Sequence, residues 1–114
     1  TMTSIIRFDS ATPDVSTGPV NNPLEGEPQA TTRNFFESPD QHFFAGIWES
    51  TKGKWPVSYT EQEFVHMLAG EAILTDEQGK AEHVKAGDSF VVQAGFKGTW
   101  ESLGEVRKLY AIYE

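Results

Sequence analysis

Short apolar runs separated by glycine turns dominate the chain from residue 42 to its end. The segments 42–50, 63–95 and 105–114 carry these runs, and "TDEQGK" at 75–80 reads as a turn between two of them. Glycines recur through the long segment every eight or nine residues, at Gly70, Gly79, Gly87 and Gly95. This spacing is typical of a small barrel or sandwich of antiparallel strands, and no window shows the period and caps of a helix. The pattern therefore predicts an all-β domain.

The first 40 residues follow a different pattern. They hold five of the six prolines, at positions 13, 19, 23, 28 and 39, and are mostly polar. Proline-rich polar sequence favours extended backbone over a core of its own. We therefore expect an extended N-terminal arm over residues 1–40, which packs on the barrel or on a partner, and a barrel domain over residues 41–114.

Composition limits the classes of partner. The chain has 114 residues, the size of one domain, and a formal net charge of −8. Nucleic acids and anionic membrane surfaces are bound through Lys and Arg, so we expect neither as a partner. The chain has no cysteine, which excludes disulfides and thiolate metal sites. The sequence shows no signal-peptide core and no stretch long enough to span a bilayer, so we expect a cytoplasmic protein.

Two spaced motifs resemble those of a known family. Glu63-x6-Gly70 is followed by a hairpin and by "GDSFVVQAGFKGTWE" at 87–101, which begins at Gly87 and contains Gly95. These residues match the Glu and Gly of the first cupin motif, G-x5-H-x-H-x3/4-E-x6-G, and the glycines of the second, G-x5-P-x-G-x2-H-x3-N. The chain resembles small single-domain cupins, in particular ureidoglycine aminohydrolase cupin domains and ethanolamine-utilisation cupins. The resemblance implies a double-stranded β-helix (jelly roll) that closes into an antiparallel β-barrel and commonly forms homodimers.

Most of the residues that bind metal in cupins are replaced here. The two histidines of the first motif fall at Val57 and Tyr59, or one residue earlier, and the histidine of the second falls at Gly98. Of the usual three histidines and one glutamate, only Glu63 is present. A transition metal needs three or four converging ligands, so we expect no tightly held metal and no cofactor. A divalent metal site built on Glu63 and replacement ligands is the alternative.

The motif position also places a carboxylate inside a pocket. Glu63 should point into the barrel above Val65 and Met67, which share its strand parity. A charged, unpaired carboxylate is costly in an apolar pocket, so Glu63 is a candidate general acid or base, with Lys54 the nearest cation in the sequence. A structural role for Glu63 at the barrel mouth is the alternative. The other candidate ligand-binding residues, together with Lys54, are Trp48, Tyr59, Gln93, Phe96 and Trp100.

Three functions fit these expectations, and the sequence leaves open whether the protein is an enzyme. The first is the binding of a small polar metabolite in a barrel without a tightly held metal. The second is a metal-dependent aminohydrolase similar to ureidoglycine aminohydrolase. The third is a structural or assembly protein with a vestigial pocket.

The outer sheet faces suggest how a homodimer would form. Phe64 and His66 on one strand, and Tyr110 and Ile112 on the last, are expected to supply the contact area. The alternating pattern of "VRKLY" at 106–110 predicts a strand whose charged side chains point outward.

Overall fold

Two antiparallel sheets face each other and form the whole fold. The computed structural model describes residues 4–114. Its ten strands are β1 Asp14–Pro19, β2 Gln29–Glu37, β3 Phe43–Ser50, β4 Gly53–Ser58, β5 Gln62–Ala69, β6 Glu71–Asp76, β7 Ala81–Lys85, β8 Ser89–Val92, β9 Lys97–Ser102 and β10 Val106–Tyr113. The prediction of an all-β fold is confirmed. Within residues 4–114 there is no helix with the length and apolar character needed to cross a membrane.

The strand order brings the last strand into the middle of the larger sheet. Six strands pair in the order β1-β2-β3-β10-β5-β8, and four pair in the order β4-β9-β6-β7. All pairings are antiparallel. Because β10 lies between β3 and β5, its inward side chains reach residues on both neighbours. A side chain on β10 can therefore contact Glu63 on β5 directly.

The N-terminal segment is built into this architecture. Strand β1 pairs with β2, and β2 pairs with β3, so the segment predicted as an arm adds two strands to the six-stranded sheet. The ring of Pro28 is fully buried and lies where a Cβ of Gly53 would stand. The amide of Leu24 donates to the carbonyl of Lys54 at 2.7 Å. The segment therefore packs directly against β4.

The apolar core fills the space between the sheets. Val65 and Met67, which were expected to lie below Glu63, are fully buried. Burying a side chain of this size contributes about 1.5–3 kcal/mol. The other buried members of the core cluster are Trp55, Ala72, Leu74, Val84, Val92, Trp100 and Val106.

The turn between β6 and β7 depends on one aspartate. Asp76 Oδ1 accepts hydrogen bonds from the amides of Gln78 and Lys80, both at 2.9 Å, and Gly79 adopts a positive φ of 87°. We expect Asp76→Ala to lower the free energy of unfolding by about 1 kcal/mol because two amides lose their acceptor. Chemical denaturation measures the change. The exposed Glu77→Ala in the same turn is the control, and equal stability of the two variants would contradict the assignment.

Candidate functional site

A cavity of about 700 Å³ opens between the two sheets. Strands β2, β3, β4, β5, β9 and β10 contribute walls, and so do the loop after β4 and the residues that follow β1. A volume of this size lies within the about 300–1,000 Å³ that is usual for small-molecule sites. The cavity is therefore large enough for a metabolite, and its chemistry depends on which side chains point into it.

A buried ion pair lies on the cavity wall. Lys108 Nζ donates to Glu63 Oε2 at 2.9 Å, and the two residues are 5% and 6% exposed. Glu63 comes from β5 and Lys108 from β10, and both line the cavity. Removing two charges from water is costly, and their attraction offsets that cost only when the geometry is good. Each of the two charges is therefore stable in its buried position only while the other is present.

Two tryptophans complete the surroundings of the ammonium group. Lys108 Nζ lies 4.8 Å from the ring centroid of Trp48 and 4.6 Å from that of Trp100. The two rings meet edge to face at 5.6 Å, and Trp100 Nε1 donates to Ser102 Oγ at 2.9 Å. The negative face of an indole attracts a cation more strongly once water is excluded. One carboxylate and two aromatic faces therefore stabilise the buried ammonium.

The sequence-based choice of Lys54 as the partner of Glu63 is wrong. Lys54 Nζ lies 3.7 Å from Glu25, a carboxylate of the segment that packs on β4, and Lys54 does not line the cavity. The prediction that "VRKLY" turns its charges outward is also wrong for Lys108. Adjacent side chains on a strand point to opposite faces, so Arg107 and Lys108 cannot both face solvent. Val106 and Tyr110 are buried, and Lys108 points to the same face of β10 as they do, so Lys108 faces inward.

The other predicted ligand-binding residues divide between two cavities. Trp48, Tyr59 and Trp100 line the first cavity together with Glu63, although Trp100 is only 1% exposed and is also part of the core. Gln93 and Phe96 line a second cavity of about 750 Å³. Phe96 reaches the first cavity only indirectly, because its ring packs edge-on against Tyr59 with centroids 6.0 Å apart. Gln93 is exposed.

Tyr59 lines the cavity close to two carboxylates. Burial raises the pKa of its phenol well above the usual range, and the negative charges of Glu63 and Glu61 raise it further. The phenol is therefore neutral and remains a hydrogen-bond donor at any physiological pH. Glu61, two positions before Glu63, was considered only as a replacement metal ligand and not as a ligand-binding residue of the cavity.

The sequence analysis also missed the polar wall supplied by β2 and the residues after β1. Asn34 Oδ1 accepts a 2.6 Å hydrogen bond from Tyr110 Oη, and Asn21 and Thr32 lie nearby in the same lining. Nothing in the proline-rich pattern signalled that these residues face a cavity, because their orientation depends on the pairing of β2 with β3.

Tyr110 provides a pH-dependent test of this wall. Burial, followed by the charge of Glu63, raises the pKa of Tyr110 to about 12. The unfolded chain releases the proton near pH 10, so this contribution to stability is complete below pH 10 and is lost as the pH rises towards 12. Ultraviolet titration of the phenolates should show a step near pH 12 that disappears in Tyr110→Phe and persists in Tyr113→Phe. A midpoint near 10 for Tyr110 would contradict its buried position.

Of the four residues expected at a dimer interface, two lie on the outer sheet face and two do not. Phe64 is 47% exposed and His66 bonds Ser89 Oγ through Nδ1 at 2.7 Å, both on the outer face as expected. Tyr110 and Ile112 instead line the cavity, because they share the inward parity of Lys108. Any contact with a second copy through β10 would use the alternate residues of that strand. Homodimerisation stays a prediction.

The residues of the cavity do not fit the metal that the motifs would require. Gly98, at the position of a motif histidine, has no room for a side chain, because a Cβ there would overlap the carbonyl oxygen of Thr75. Val57 offers no donor atom, and one oxygen of Glu63 is committed to Lys108. Within residues 4–114 no group of three or more His, Cys, Asp or Glu side chains is arranged to hold a metal ion.

Comparison with known proteins identifies the architecture. The family model described as the EutQ-like cupin domain matches residues 37–110. No curated protein matches the chain. Many solved structures do, and three of those that cover 90% or more of this chain show the similarity.

The first of these structures is a DUF861-family protein of unknown function from Pseudomonas syringae pv. tomato DC3000. It is 28% identical with a TM-score of 0.77, over 90% of this chain and 45% of that one. The chain therefore spans less than half the length of that protein.

The other two structures show the fold alone, because their sequences are more distant. Ethanolamine utilization protein Q of Salmonella typhimurium LT2 is 18% identical with a TM-score of 0.68, over 90% of this chain and 98% of that one. The polyketide cyclase RemF of Streptomyces resistomycificus is 21% identical with a TM-score of 0.67, over 98% and 80%. The chain thus has the jelly-roll fold expected from its two motifs.

Proposed function

Because the chain belongs to the family of EutQ-like cupin domains, we propose that it binds a small polar metabolite in the barrel cavity without a tightly held metal. One observation carries the proposal: the Lys108–Glu63 pair stands on the cavity wall and engages the only motif carboxylate. The ammonium supplies the positive charge that a metal would bring. Around it, aromatic walls and a few oriented polar groups match the usual composition of a ligand site.

The aminohydrolase alternative has less support. It needs a divalent metal, and the carboxylate at the motif position, Glu63, is already shared with Lys108, while burial holds the phenol of Tyr59 neutral. The alternative of a vestigial pocket has less support for a different reason. A cavity without a ligand would gain nothing by keeping an ammonium and a carboxylate buried, since apolar replacements are often equally stable. Glu63 remains our candidate general acid or base if a reaction takes place.

The test is a thermal-shift screen of small polar metabolites against the purified protein, followed by calorimetric titration of each hit. We expect at least one hit whose affinity falls tenfold or more, about 1.4 kcal/mol, in Trp48→Leu, because Trp48 forms part of the cavity wall. His83→Ala is the matched control, since His83 pairs with Glu71 on the surface. The absence of any hit, or hits with unchanged affinity in Trp48→Leu, would favour the vestigial pocket.

We further propose that the active form is a cytoplasmic homodimer that exposes its cavity to small solutes. The apolar outer face of β5, where Phe64 stands, supports this proposal, since exposed apolar patches on a sheet often mark contacts between subunits. Light scattering at micromolar concentration tests it. A monomer mass for the wild type would contradict the dimer, and a dimer that dissociates in Phe64→Lys would support it.

A further inference from the structure

The polar atoms of the cavity that are free to meet a ligand include one carboxylate oxygen of Glu63. The Lys108 ammonium is already engaged, because it donates to Glu63 Oε2 and lies over the faces of Trp48 and Trp100. In contrast, no contact among the described residues uses Glu63 Oε1. Since no fully buried side-chain oxygen or nitrogen of residues 4–114 lacks a partner, this oxygen keeps some exposure, and Glu63 lines the cavity. Glu63 therefore presents an acceptor to whatever enters.

The charged side chains of the cavity are mostly negative, like this carboxylate. Its lining includes three carboxylates, those of Glu61, Glu63 and Glu114, and among the described lining residues Lys108 is the single cation. The cavity therefore carries a net charge of about −2, within a chain whose net charge is −8. In a partly enclosed, low-dielectric space such charges attract cations and repel anions more strongly than in water.

Aromatic walls give a cation a second source of attraction. Phe44, Trp48, Tyr59 and Tyr110 all line the cavity. The protein already places one ammonium group, that of Lys108, against two indole faces in this interior. Aromatic rings combined with carboxylates are the usual recognition elements for organic ammonium groups. The surroundings of Lys108 show that this combination holds an ammonium inside the barrel.

Building on the proposed function, we propose that the ligand is a small organic cation with a primary ammonium group. The ammonium would donate to Glu63 Oε1 and lie near Glu61, and the apolar part would contact the aromatic wall. An anionic ligand would find the Lys108 donors already engaged. A neutral ligand would forgo the attraction of the carboxylates.

Three probes of nearly equal size and different charge separate these cases: butylammonium, butanol and butyrate. Each is titrated into uniformly labelled protein, and amide and indole resonances are followed by nuclear magnetic resonance. We expect butylammonium to bind at least tenfold more tightly than the other two, with shifts at Trp48 and Tyr59. Its binding should weaken severalfold in Glu61→Gln and with added salt. Glu77→Gln, which removes a carboxylate from the exposed β6–β7 turn, should leave it unchanged.

Two kinds of outcome overturn the cation preference. Tighter binding of butyrate or butanol at the cavity residues would reverse the assigned ligand class and leave the proposed metabolite-binding function standing. Equal binding of all three, or shifts by none of them, would also remove the preference. The metabolite screen with Trp48→Leu judges the proposed function separately, because it makes no assumption about ligand charge.

Discussion

Lys108→Met is expected to lower the free energy of unfolding by about 3–5 kcal/mol. Methionine matches the length of the lysine stem but leaves the Glu63 carboxylate buried without its partner. Both residues are almost completely excluded from solvent, so water from the cavity would replace the lost ammonium only in part. The two tryptophan faces that now surround the ammonium would retain only packing contacts with the thioether.

Denaturant unfolding followed by tryptophan fluorescence measures this loss. Lys85→Met is the matched control, because Lys85 forms a solvent-exposed pair with Asp88 at 3.5 Å, and loss of such a pair should change the stability little. The double variant Glu63→Leu with Lys108→Met should recover most of the stability, since apolar replacement of a buried pair is often neutral. A single Lys108→Met variant as stable as the wild type would show that the pair is not formed.

Gly98→Ala is expected to cost about 3 kcal/mol of stability, the upper part of the usual range for overpacking. The added Cβ would overlap the carbonyl oxygen of Thr75 on β6, so the pairing of β6 with β9 would have to shift. Gly98→His should be at least as destabilising and should not create a metal site. The position of the motif histidine is thus blocked by backbone geometry as well as by residue type.

Thermal and chemical denaturation of Gly98→Ala test this expectation. Gly18→Ala is the control, because Gly18 also lies in a strand and has nothing within 4 Å of the position that a Cβ would occupy. Its stability should stay within about 0.5 kcal/mol of the wild type. Equal stability of the two variants would show that β9 lies farther from β6 at this position.

The sequence predicted the fold well because the relevant signals are local. The glycines that punctuate the chain after residue 69 mark sharp turns, and Gly70, Gly79, Gly87 and Gly95 all adopt positive φ. The spacing from Glu63 to Gly70 also placed Glu63 correctly on an inward position of β5. Such features depend on neighbouring residues, so they can be recognised without knowing which strands pair.

The partners within the site could not be predicted in the same way. Lys108 meets Glu63 because β10 inserts between β3 and β5, and the two residues are 45 positions apart in the chain. Sequence proximity favoured Lys54, which instead meets Glu25. Likewise, Gln93 was expected to bind the ligand in the same pocket as Glu63, whereas it lines the second cavity. Long-range pairing decides these contacts, and the hydrophobic pattern carries little information about it.

The metal content of the purified protein tests the central claim most directly. The untagged protein is incubated with Mn²⁺, Zn²⁺, Fe²⁺ and Ni²⁺, freed of excess ions by gel filtration, and analysed by inductively coupled plasma mass spectrometry. If the Lys108 ammonium takes the place of a metal beside Glu63, every metal should be far below one ion per chain. Retention of close to one ion per chain would contradict the account and bring the aminohydrolase alternative forward.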